Sequence, residues 1–263
     1  CASMFDVDLC ALIGMVHTLP LPGSPQWAGD MEDILQRAQG DAEALARGGC
    51  DAIIVENMGD VPYLNGSVYP ETVAAMALVC ERVRAVGLPM GVQILAGANE
   101  QALAVAATTQ AAFIRVEGFA YGHLADEGWI TACAGPLLRK RANLGQDIKI
   151  WADVQKKHAS HAVTADLSLE DLAEGHRFAG ADTLIITGKA TGQPTSGHDI
   201  LAAKTAGLPV VVGSGVNPNN ISELATKADG VIVGSWLKHQ GDWRNSVDIE
   251  RVKTLKSEIK RLF

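Results

Sequence analysis

The feature that most constrains this chain is an alternation. Short apolar runs rich in β-branched residues recur at Ala11–Val16, Ala52–Val55, Gly91–Leu95, Phe113–Val116, Ile148–Ala152, Thr183–Thr187, Val210–Val212 and Gly230–Val233, with longer amphipathic stretches between them. Most of the runs are continuously apolar, as expected of parallel strands covered on both faces. The intervening stretches carry helix signals. Asp30 is placed to cap a helix whose stripe is Ile34, Leu35, Ala38, Ala42, Leu45 and Ala46. Pro70 opens a second helix and Gly87 closes it. Further helices are predicted from Asn99 to Thr109, from Thr131, from Ser168 with Asp171 three places on, from Ser196 or Gly197 to Gly207, from Asn217-Pro218, and over 247–262.

Two phrases recur. Gly49-Cys50-Asp51-Ala52 and Gly180-Ala181-Asp182-Thr183 both run glycine, Asp, strand, and Ala228-Asp229-Gly230 is a looser copy. Each sets an acid at the N-terminal mouth of a strand, which reads as structural punctuation. Strict β-α repetition gives an open doubly wound sheet or a closed barrel. Eight units in 263 residues favour an α/β fold of the (β/α)₈ TIM-barrel type, one domain over 1–263. The loops after strands 1, 2 and 4 are long, as for elaboration at the C-terminal face.

Composition narrows the function classes. Apolar residues make up 48% and charged residues 20%, ordinary for a globular chain. A net charge of −8 argues against a nucleic-acid polymer as partner and against unspecific binding to anionic lipid. Five cysteines, none at C-x-x-C spacing, read as reduced thiols. No apolar run approaches a transmembrane length of about 20 residues. The expected compartment is the cytoplasm, or an organelle if a targeting segment preceded Cys1.

In such a barrel the loops after the strands build the active site. After strand 7 comes Gly213-Ser214-Gly215-Val216, and after strand 8 Gly234-Ser235 with Lys238 beyond. Glycines let backbone N–H groups approach an anion, a following helix start adds positive potential, and the serines and Lys238 add donors and charge. The pair predicts a phosphate cup; the competing reading is that the glycines only make tight turns. Polar residues end the other strands: His17; Glu56 and Asn57, with Asp60 beyond; Arg115 and Glu117; Asp153, then Lys157 and His158; Thr187 and Gly188, then Thr191 and Gly192. Asp153 is the first candidate for a general base, with Glu56 and Glu117 as acid–base partners and Lys157 as charge partner or Schiff-base former. These carboxylates are also a donor set for Mg²⁺. Structural salt bridges, for instance with Arg115, are the plain alternative. His158 and His161 have H-x-x-H spacing without HExxH, a weak zinc signal. His17 and the proline-rich loop Thr18-Leu19-Pro20-Leu21-Pro22-Gly23 read as a ligand contact under a rigid cover.

Taken in order, the His17–Pro25 segment, Glu56-Asn57, Asp153 with Lys157-His158, Thr187-Gly188 with Thr191-Gly192, and Gly213–Val216 through Ile232–Ser235 resemble the BtpA/SgcQ family over nearly the whole chain. The resemblance implies a barrel of the ribulose-phosphate-binding type. It also implies a role proposed in photosystem I accumulation, peripheral to the thylakoid membrane. Glu117 stands where the family often carries Asn, and Gln155 and Lys156 also depart from its pattern. Two functions follow as expectations: an enzyme of isomerase, lyase or glycosidase type acting on a phosphorylated sugar or nucleotide, or a non-catalytic assembly factor for a membrane complex. A homo-oligomer is common among such barrels, with no interface legible in the sequence.

Overall fold

Each strand-start acid takes up a backbone amide of the strand beside it. Asp51 Oδ2 accepts from Leu12 N at 2.7 Å, Asp182 Oδ2 from Ile150 N at 2.8 Å, and Asp229 Oδ2 from Val210 N at 2.8 Å. Each also meets a basic side chain from an outer helix: Lys256, Arg141 and Lys204, respectively. The recurring phrase is thus a stitch at the N-terminal rim. It satisfies edge amides that the parallel ladder leaves unpaired.

The computed structural model describes residues 10–156, 158–188 and 195–263. Lys157, Thr191 and Gly192 lie outside the described residues. The strands β1 Ala11–His17, β2 Ala52–Glu56, β3 Met90–Gln93 and β4 Phe113–Val116 are followed by a short hairpin, β5 His123–Ala125 and β6 Gly128–Ile130. Then come β7 Lys149–Asp153, β8 Ala159–Ser160, β9 Thr183–Ile186, β10 Val210–Val212 and β11 Gly230–Val233. The order β1-β11-β10-β9-β7-β4-β3-β2 closes a parallel barrel, while β6-β5-β8 form a small antiparallel sheet. Around the barrel lie α1 Met31–Gly48, α2 Pro70–Arg84, α3 Asn99–Thr109, α4 Ala134–Leu144, α5 Leu169–Ala179, α6 Gly197–Lys204, α7 Ile221–Ala225 and α8 Ile249–Lys260. Among the described residues no helix is long and apolar enough to cross a membrane.

Several helix starts carry the chemistry predicted for them. Asp30 accepts from Glu32 N and Asp33 N, and Ser168 and Ser196 form reciprocal capping boxes with Asp171 and Asp199. Two boundaries move. The fourth helix begins at Ala134, not Thr131, because β5 and β6 occupy the connection before it. The seventh begins at Ile221, because Asn217 makes a turn instead, its carbonyl accepting from Asn220 N and Ile221 N.

Two apolar cores result from strand parity. Side chains of one parity pack outward against the helices, among them Leu12, Ile53, Val92, Ile114 and Ile150. The other parity fills the barrel with Ala11, Ile13, Met15, Ala52, Ile54, Phe113, Trp151, Ile185, Val211 and Ile232. Phe113 and Trp151 stack there, centroids 3.8 Å apart and planes 15° apart. Space for them comes from Gly91, where a Cβ would stand 2.2 Å from the Phe113 ring. Gly91→Val is therefore expected to cost at least about 1–3 kcal/mol by overpacking, read as a lowered urea midpoint with an unchanged slope. A neutral Gly91→Val would show that the ring stack is not tightly held.

Candidate functional site

Parity continues past the apolar plug. The next inward positions at the C-terminal mouth are His17, Glu56, Gln93, Arg115, Asp153, Thr187, Gly213 and Gly234, one from each barrel strand or the residue just after it. They sit at the floor of a cavity of about 640 Å³. Its wall includes Met58, Tyr63, Glu117, Asp126, Glu127, Lys156 and His158 on one side, and 213–217 with 233–236 on the other.

Asp153 is not a free base. Arg115 donates to it through both Nε and Nη2, each at 3.0 Å, in a buried bidentate pair. Glu56 has the opposite surroundings. It is buried, and no hydrogen bond from a described residue reaches its carboxyl oxygens. Its one charged-type neighbour in contact is His17 Nε2 at 3.5 Å. Burial pushes the Glu56 carboxyl up to about 7; Arg115 opposes the shift, while Glu117 and Asp153 add to it. Burial pushes the His17 imidazole down to about 3, so this ring is neutral at physiological pH. Glu117 is also raised, by burial first. Lys156 Nζ stands 2.9 Å from Glu127 and 3.5 Å from Glu117. Burial works against the Lys156 charge, but those two carboxylates outweigh it.

The two glycine loops combine two physical requirements. Gly213 and Gly234 occupy inward positions too crowded for a side chain. A Cβ would meet Ile185 at 2.6 Å in the first case and the His17 ring at 3.1 Å in the second. Gly215 differs: its φ is 76° and the space around it is open. Among the described residues, nothing hydrogen-bonds to the amides of Ser214, Gly215, Val216, Ser235 and Trp236, and all five residues line the cavity. The N-terminus of α7 is removed from the loop, and a 3₁₀ turn over Ser235–Leu237 follows the second glycine. Free amides, and not a helix dipole, are what the cup offers an anion.

Lys238 requires a correction. It is wholly buried and points away from the cup, its Nζ donating to Met15 O at 2.9 Å and Asp41 Oδ2 at 3.2 Å. Asp41 Oδ1 in turn accepts from Val247 N at 2.7 Å. A cation just past the second glycine loop is used to tie α1 to the chain after β11. Asn57 and Asp60 also serve the frame and do not line the cavity. Asn57 donates to Asp60 and accepts from Leu95 N, and Asp60 accepts from Leu21 N, which pins the proline-rich loop. Thr187 lines the cavity but its hydroxyl donates to Gln155 O, and Gly188 is not in the wall. His161 bonds Lys156 O and faces the His123 ring, with centroids 5.2 Å apart. Among the described residues no three His, Cys, Asp or Glu side chains converge on a point that would hold a metal ion.

Sequence reasoning missed Asp126, Glu127 and Tyr63, and passed over Lys156 for its neighbour Lys157. Asp126 and Glu127 form the turn of the β5–β6 hairpin, whose three-residue strands are too short to show a period. Asn65 Nδ2 ties that turn to the loop after β2 through Glu127 O and Trp129 O. Lys156 lies beyond the end of β7, where alternation no longer indicates direction.

The profile of the BtpA family matches residues 9–261. This chain belongs to the BtpA family. A protein of Caenorhabditis elegans, described as uncharacterized and mitochondrial, is 43% identical over 259 residues, covering 95% of this chain and 93% of its own. The photosystem I biogenesis protein BtpA of Synechocystis is 40% identical over 244 residues, covering 92% and 85%. Among solved structures, KGPDC from Streptococcus mutans in its complex with ribose 5-phosphate superposes with a TM-score of 0.62 at 13% identity, over 97% of this chain and 100% of that one. N-(5'-phosphoribosyl)anthranilate isomerase from Pyrococcus furiosus gives 0.55 at 14%, over 96% and 99%. At such identities these likenesses establish the barrel and nothing finer.

The mouth of this BtpA-family barrel makes stability depend on pH. Between the ordinary carboxyl value of 4.5 and about 7, folded Glu56 holds a proton that the unfolded chain has released. Stability must therefore fall as pH rises through that window, by up to about 3 kcal/mol. Glu56→Gln removes the fall, so urea denaturation should show the variant gaining on wild type by on the order of 1–3 kcal/mol between pH 5 and pH 8; a constant offset would contradict the assignment. Asp41→Ala strands the buried Lys238 ammonium and is expected to cost about 3–5 kcal/mol, whereas Lys238→Met costs less. The two midpoints compared side by side decide it.

Proposed function

We propose that this protein is an enzyme acting on a phosphorylated small molecule, a sugar phosphate or nucleotide, held across the mouth of the barrel. The observation that carries the reading is the set of five free amides at Ser214, Gly215, Val216, Ser235 and Trp236, facing the same cavity as a buried carboxyl poised near neutrality. The amides supply a fixed concavity for phosphoryl oxygens. Binding energy from that handle positions the reacting carbon beside Glu56.

Glu56 is the group best suited to move a proton. Its value of about 7 makes it a competent base and acid at the same pH, and no donor holds its oxygens. Neutral His17 at 3.5 Å is placed to relay or orient that proton. The Arg115–Asp153 pair is a positioning element beneath it, and Arg115 lowers the cost of charging Glu56. Glu117 and Lys156 complete a second acid–base pair on the opposite wall. Proton transfer at a sugar carbon and cleavage of a glycosidic bond both use this equipment.

A second reading comes from the name of the Synechocystis relative, a photosystem I biogenesis protein. It makes the barrel an assembly factor for a membrane complex. Recovery of one stable protein partner from a native extract, together with full function in cells of a Glu56→Gln variant, would favour that reading.

The enzyme reading is tested by thermal shift with ribose 5-phosphate, hexose phosphates and nucleoside monophosphates. Some of these ligands should raise the melting temperature of wild type, and Gly215→Asp should abolish the shift. The aspartate fits sterically, since Gly215 has open space around it, but it adds a negative charge to the cup. No shift across the panel, with Gly215→Asp indistinguishable from wild type, would refute the phosphate site.

A further inference from the structure

The two ends of the cavity differ in hydrogen-bonding character. The cup end offers N–H donors, while the far end offers acceptors. Five carboxyl side chains, Glu56, Glu117, Asp126, Glu127 and Asp153, face two permanent cations among the described lining residues, Arg115 and Lys156. Both cations are committed. Arg115, whose Nη2 stands 3.4 Å from where a Gly213 Cβ would be, gives Nε and Nη2 to Asp153. Lys156 gives its short contact to Glu127. Lys238, the cation next to the cup in sequence, is buried against Asp41.

Two acceptors are left over. Glu117 Oε2 is buried and makes no hydrogen bond, its nearest cation being Lys156 at 3.5 Å. Glu56 has no donor beyond the long 3.5 Å approach of His17. Buried carboxyl oxygens without donors are costly, and a ligand that supplies the donors recovers that cost. A phosphate monoester with nothing positive at its other end leaves them unfilled and adds its own negative charge to an already acidic chamber.

Resting on the phosphate reading above, we infer that the ligand of this cavity is zwitterionic: a phosphate monoester whose far end carries a protonated amine, received by the carboxyl groups of Glu56, Glu117 and Asp126. The ammonium brings three donors and a positive charge to the wall that lacks both. An amino sugar phosphate, or another phosphorylated amine, has this form. The arrangement also selects orientation, because reversing the ligand would set phosphate against carboxylates and amine against amides.

Isothermal titration of the full chain at pH near 7.5 with two isosteric pairs tests this, since the amines are then mainly protonated. The pairs are glucosamine 6-phosphate against glucose 6-phosphate, and phosphoethanolamine against 2-hydroxyethyl phosphate, with inorganic phosphate as reference. In at least one pair the amine should bind about 10-fold tighter or more. Asp126→Asn, a change at an exposed hairpin tip that leaves the fold intact, should shrink that preference without weakening the hydroxyl partner. Glu117→Gln should shrink it further. Hydroxyl partners that bind as well as the amines in both pairs overturn the inference. So does inorganic phosphate binding with no gain from any amine, an outcome that leaves the phosphate reading standing. If neither inorganic phosphate nor any pair member binds, and Gly215→Asp changes nothing, the phosphate reading fails and this inference falls with it.

Discussion

The stacked pair of Phe113 and Trp151 is the constraint on which the rest of the mouth depends. Together with Ile13, Ile54, Ile185, Val211 and Ile232 it plugs the barrel with hydrocarbon. A parallel barrel cannot choose which side chains enter it one at a time. Strand parity sends every second residue inward, so the same alternation that builds the plug delivers His17, Glu56, Arg115 and Asp153 one layer above it. The polar layer therefore rests on a dry floor. That floor withdraws solvent from one side of each carboxyl and is the main cause of the raised Glu56 and the neutral His17.

On this floor the carboxyl groups are not equivalent, although they look alike in sequence. Asp153 is clamped by a guanidinium in fork geometry, and Glu127 is held by Lys156. Glu56 is left without a donor. A group's chemistry here follows from who its neighbours are across the barrel, and those neighbours come from different strands. The acid–base candidate is accordingly the residue with the fewest partners, not the one that most plainly ends a strand.

Much of the fold was legible because its signals are local. Apolar runs, caps at Asp30, Ser168 and Ser196, and the repeated strand-start acids each depend on a few neighbouring residues. The β5–β6 hairpin was not legible, because three-residue strands carry no period and their register comes from contacts with β8 and Asn65. The same holds for Lys238. Its sequence position beside Gly234 suggested the cup, but its length lets it reach Asp41 on α1, nearly two hundred residues away in the chain.

By itself, then, the sequence determined the barrel, the face that bears polar strand ends, and the two glycine loops, since periodicity and backbone chemistry are written along the chain. Tertiary structure alone decided which carboxyl is free, which cation is spent, and that the cup works through unpaired amides of Ser214–Val216 and Ser235-Trp236. Those properties arise from burial and pairing between strands far apart in sequence, and no local pattern encodes the distance between them.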